Sequence, residues 1–95
     1  MRIATEDDER QVWDRLSSLL PEAVPDGASE SEAEDSIVLA CMGHDREIHG
    51  LYEQVKRLAR DGEGGYVRMK LEEDNPIARV HRRLYGRQAQ IRQEA

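Results

Sequence analysis

Cys41, His44, Asp45 and His49 stand within nine residues of one another, and His81 lies further along the chain. A thiolate and imidazoles at such spacing suit zinc, and on one continuous helix Cys41, His44 and Asp45 would share a face. The pattern C-x2-H-x4-H lacks the second ligand pair of a recognisable zinc motif, so no metal is assigned. Cys41 and His44 also suggest a nucleophile and its base, but no third group orients them. A buried free thiol beside loop histidines is the plainer reading. Asp45 and Glu47, or Glu72, Glu73 and Asp74, offer a general base for an amine, although such runs more often form solvated turns. Arg79, Arg82, Arg83, Arg87 and Arg92 could grip the phosphates of a nucleic acid or of a CoA thioester. An acidic total with pI near 5.0 weighs against nucleic acid, leaving the polar face of an amphipathic helix or a site for an acidic protein partner through Arg79, Arg82 and Arg83.

The chain that must position these groups has 95 residues, one cysteine, one tryptophan and no phenylalanine. That length makes a single domain, residues 1–95, with one modest aliphatic core, and a homodimer is a simple way to enlarge it. No run approaches the length of a membrane span and the N-terminus lacks a signal-peptide apolar core, so neither a membrane nor export is expected. A lone Cys41 fits a reducing, cytoplasmic setting. The net charge of −6 is uneven: residues 1–35 carry eleven acids and three bases, and residues 75–95 carry one acid and five bases. An acidic head and a basic tail can attract each other within a chain or between two chains, although two solvated faces are the plainer reading.

Reading for elements, residues 1–4 suggest a short strand, and Thr5 then caps a helix rich in first-turn acids. Val12, Leu16 and Leu19 are its expected core face, with Trp13 and Leu20 on the flank, and Pro21 ends it. Residues 21–35 read as an acidic flexible connection that ends in a helix start. Ser36–Met42 is an apolar run that fits a buried strand or the first turns of one long helix to Arg60; Gly43 and the His44-Asp45 cap favour the strand. From Asp45 to Arg60 the spacing predicts a helix burying Ile48, Leu51, Tyr52, Val55, Leu58 and Ala59. The glycines at 62, 64 and 65 read as a turn, the alternation from Tyr66 to Glu72 as a second strand, and Asn75-Pro76 as the start of a helix with Ile77, Val80, His81, Leu84, Gln88 and Ile91 on one stripe. The expectation is a small α/β domain of order (β)-α-β-α-β-α with parallel strands. A helical bundle carrying one strand is the alternative.

The stretch Leu58–Gly86, LARDGEGGYVRMKLEEDNPIARVHRRLYG, resembles the C-terminal core of the GNAT acyltransferases. Ala59, Gly62, Met69, Leu71, Asn75, Ala78 and Gly86 stand at that family's spacing, and the opening MRIATEDDERQVWDRL is similar to its first strand and helix. The resemblance implies acetyl-CoA as cofactor and transfer of its acyl group to an amine, by a shortened enzyme or a non-catalytic derivative. It places Gly43, Arg46 and Gly50 at the CoA pyrophosphate, Asn75 at the strand–helix junction, Arg82 at the phosphates and Tyr85 as the candidate acid. The competing expectation is a small, dimeric protein-interaction module. The acyltransferase reading depends on residues 36–42 and 66–72 lying side by side as strands. A helix through Ile37–Met42 removes that kinship and the roles it gives to residues 43–50.

Overall fold

A computed structural model describes residues 5–60 and 65–94, with 86–94 as backbone. The strand expected at residues 1–4 and most of the glycine turn at 62–65 lie outside this range.

Helix α1 spans Glu6–Leu19. Thr5 starts it with a capping box: its hydroxyl accepts the Asp8 N–H at 3.2 Å, and the Asp8 carboxylate accepts the Thr5 N–H at 3.0 Å. Four acids in the first turn suit the positive end of the helix dipole. Glu9, Trp13 and Leu16 are buried, and Leu20 continues the same stripe. The buried face is therefore turned from the expected one, with Trp13 and Leu20 inside and Val12 and Leu19 half-buried. Pro21 lacks an N–H and closes the helix into a short 3₁₀ turn, Leu20–Ala23.

Helix α2, Glu30–Leu39, begins inside the acidic segment because Ser29 and Glu32 form a second capping box. A wide helical turn, Ala40–His44, carries the chain on to Gly43, whose φ of +125° breaks the helix. Asp45 is extended and restarts it by accepting the Ile48 N–H at 3.1 Å. Helix α3 is Arg46–Arg60 and buries Ile48, Tyr52 and Val55 as the spacing predicts. Helix α4 is Gly65–Glu72, and helix α5 is Pro76–Glu94. Asn75 joins the last two: its amide nitrogen donates to the Lys70 carbonyl at 2.7 Å, and its amide oxygen accepts the Ala78 N–H at 2.8 Å.

The α/β expectation is overturned. Among the described residues every regular element is helical and none is a strand. At 36–42 the capping box upstream nucleates a helix, and the buried residues Val38 and Cys41, with Ala40 between them, follow a helical stripe rather than alternation. At 66–72, Val67 and Leu71 face inward while Met69 is 51% exposed. A strand would have put all three on one side; a helix turns Met69 out. Parallel strands, and with them the picture of a GNAT-like α/β acetyltransferase, are absent from this part of the chain.

The core is one cluster built from all five helices. Leu16, Ile48, Tyr52, Val55, Val67 and Val80 are nearly or completely buried, and Trp13 and Ile77 close its ends. α1 packs along α3, α4 sits against α1, α3 and α5, and α2 lies beside α5. At eight residues α4 is too short to persist alone. Its amide end is held by Glu9, whose buried carboxylate accepts the Val67 N–H at 3.0 Å.

Candidate functional site

The residues best suited to chemistry meet in a shallow groove where α3 and α5 pass the Ala40–His44 turn. Tyr52 and Lys56 of α3 and Tyr85 of α5 line it, and His81 of α5 lies beside them against Tyr52 and Tyr85. The Tyr52 hydroxyl is 3.0 Å from His81 Nδ1, and the His81 and Tyr85 rings stack tilted with centroids 5.1 Å apart. Lys56 Nζ lies 5.2 Å from the Tyr85 ring centroid and 5.6 Å from that of Tyr52, and it donates to Glu53 at 2.9 Å.

The electrostatics of this cluster favour the uncharged forms of Tyr52, His81 and Cys41. Burial raises the Tyr52 phenol well above its ordinary range, with Tyr85 and Cys41 nearby adding to the effect, so Tyr52 stays protonated. His81 is lowered, first by burial and then by the Lys56 charge, and shares one hydrogen bond between its Nδ1 and the Tyr52 hydroxyl, whose direction follows the imidazole tautomer. Burial pushes the Cys41 thiol up to about 11, which leaves it without thiolate character. Burial alone would lower Lys56, but hydrogen bonds to Tyr85 and Glu53 outweigh it and hold the ammonium charged. The arrangement supplies a hydrogen-bond and cation–π cluster in which neither the thiol nor the phenol is a poised nucleophile.

The residues singled out for CoA do not converge. Gly43 is at the break between α2 and α3, Arg46 is exposed at the start of α3, and Gly50 is inside α3 on its outer face. Between Gly43 and Gly50 the chain is a helix break, an extended Asp45 and the first turn of α3, whose Ile48 amide is taken by the Asp45 carboxylate, rather than a glycine-rich loop. Asn75 is engaged at both its nitrogen and its oxygen in joining α4 to α5. Arg82 is exposed and reaches Asp74 only at 3.9 Å. Tyr85 belongs to the aromatic cluster. As for metal, no group of three or more His, Cys, Asp and Glu among the described residues is placed to share an ion.

A different surface gathers more of the chain's character. α2 and α5 lie side by side over a cleft lined by Glu30, Glu34 and Asp35 on one wall and Arg79 and Arg83 on the other. Arg83 bridges to Asp35 at 2.6 Å and to Glu34 at 3.4 Å, so the acidic segment and the arginine helix do meet within the chain. Arg79 pairs instead with Asp74 at 2.9 Å, and this hydrogen-bonded guanidinium, with Arg82 adding charge, holds the Asp74 carboxyl below the usual range. Ile37 and Pro76 continue the cleft into an apolar notch of about 150 Å³, closed by Leu20, Pro21 and Ile77. Its walls bring together the end of α1, the last turn of α2 and the start of α5. Sequence reading missed the notch because Pro21, Ile37 and Pro76 are far apart along the chain and each has an ordinary local role. The only legible signal was the opposite charge of the two segments.

No helix among the described residues is long and apolar enough to cross a membrane. The chain matches no family model, no curated protein and no solved structure.

Proposed function

We propose that this small helical domain is a protein-interaction module whose docking face is formed by α2 and α5. The observation that supports the reading is an apolar notch at Pro21, Ile37 and Pro76 framed by opposed rows of carboxylates and guanidinium groups. An apolar centre within a polar, charged rim is how specific protein interfaces are built, the centre supplying affinity and the rim orientation. The paired charges are exposed, so they contribute little to the stability of the fold and can exchange partners. In the aromatic groove burial suppresses the thiol and the phenol as nucleophiles.

A photoreactive residue placed at Ser31, which is exposed on the cleft wall, tests this in intact cells. The expected result is a discrete protein adduct from position 31 that is lost when Pro21→Glu is added, with none from Arg57 on the outer side of α3. Equal labelling from both positions, or none from position 31, overturns the reading.

A further inference from the structure

We infer that the occupant of the α2–α5 face is a second copy of this chain, related to the first by a two-fold axis; this rests on the docking reading above. The argument is one of charge and symmetry. α2 presents Glu30, Glu34 and Asp35, and α5 beside it presents Arg79 and Arg83, with the exposed Arg82 next to them outside the cleft lining. A two-fold axis lying in the interface, between the two helices and along them, sets α2 of each copy over α5 of the other. Each acidic row then meets a basic row, and the match is made twice by one operation. A partner of a single sign satisfies one row and is repelled by the other.

The pairs within one chain do not exhaust these rows. Among the described residues Glu30 makes no ion pair, although it lies within electrostatic reach of Arg79. Arg82 is joined to Asp74 only at 3.9 Å and without a hydrogen bond. The side chains of Arg83 and Asp35 are 45% and 54% exposed despite their contact. The size of the face sets the strength. Ten residues of each helix give a length of about 15 Å, and two helices side by side a width of about 20 Å, so the face is about 300 Å² per copy, the size of a weak, transient contact. The dimer is therefore a weak one that fills only toward the millimolar end of concentration and weakens with salt.

Sedimentation equilibrium of the full chain, from about 1 μM to 1 mM at low and high salt, tests the inference. The wild type is expected to dimerise across that range, with a dissociation constant that rises at high salt. Glu30→Lys with Glu34→Lys, and separately Arg82→Glu with Arg83→Glu, each weaken self-association at least tenfold. An equimolar mixture of the two variants restores a dimer, because the reversed rows are again complementary. Circular dichroism checks that each variant is folded; if one is not, Glu30→Lys, Arg82→Glu and Pro21→Glu are used singly. A wild type that stays monomeric at 1 mM, a dimer indifferent to these changes, or a mixture that fails to associate overturns the inference. The two readings fail separately: a monomer that still gives a position-31 adduct with another protein loses the second copy but keeps the docking face. A dimer that survives every variant, with no adduct from position 31, removes both.

Discussion

Glu9 carries more structural weight than its neighbours in the acidic first turn suggest. It is 3% exposed, and its carboxylate satisfies an amide at the start of α4 that has no partner within its own helix. Glu9→Ala is expected to cost about 2 kcal/mol, read as a lowered midpoint in urea unfolding, because a charge-assisted hydrogen bond is lost and a buried amide is left unpaired. Glu6→Ala, at an exposed position, should move the midpoint by no more than a few tenths. Helical spacing puts Glu9 on the stripe of Trp13, Leu16 and Leu20. Which amide it holds depends on the position of α4, so its role was not legible in the sequence.

His81 sets the pH dependence. Its folded value is depressed while its unfolded value is ordinary, so above that ordinary value both states are neutral and the contribution to stability is full. As pH falls below it, the unfolded chain takes up a proton that the folded chain refuses, and stability declines until the lower folded value is passed. The melting midpoint should therefore drop between pH 7 and pH 5, and His81→Asn, which keeps a hydrogen-bond partner for Tyr52, should flatten that slope. Glu53 and Asp74, held below the usual carboxylate range chiefly by Lys56 and Arg79, yield their contributions only as the pH falls further, through their lowered values. An unchanged slope in the variant would show that another group governs it.

Among the elements, two glycines that seemed equivalent in a phosphate loop separate cleanly. Gly43 has φ +125° and open space where a Cβ would go, so Gly43→Ala costs backbone strain alone, about 1–2 kcal/mol. Gly50 lies within α3 with equally open surroundings, and Gly50→Ala is expected to add about 0.5–1 kcal/mol by removing freedom from the unfolded chain. At several degrees of midpoint per kcal/mol for a domain of this size, thermal melting resolves the opposite signs. The helices with unambiguous periods were readable: α1 with its cap and Pro21, α3 with Ile48, Tyr52 and Val55, and α5 with Asn75 before Pro76. The short apolar pieces were not. Val67 and Leu71 share a side in a strand and in a helix alike, so their pattern could not choose, and the choice was made by contacts with α1 and α3. At 36–42 the signal was present in the Ser29–Glu32 capping box, seven residues upstream of the run it governs.

For the whole molecule, the expected acyltransferase features depended on a sheet, and the described residues contain none. Acetyl-CoA at millimolar concentration is accordingly expected to leave the melting midpoint unmoved, whereas a ligand that binds the native state would raise it. The polarity of the charge was legible from composition, but the meeting of the acidic and basic segments was not, since two solvated faces fit the same composition better. The apolar notch between them was not, since it exists only once three helix ends are brought to one corner.

The bond from Glu9 to Val67 spans 58 residues and joins the first helix to the fourth. A piece as short as α4 cannot hold its shape until that carboxylate arrives, so the chain contains no smaller autonomous unit that includes it. Opening of α1 should release the protected amides of both helices in the same event, and deuterium uptake should record them as a single kinetic class.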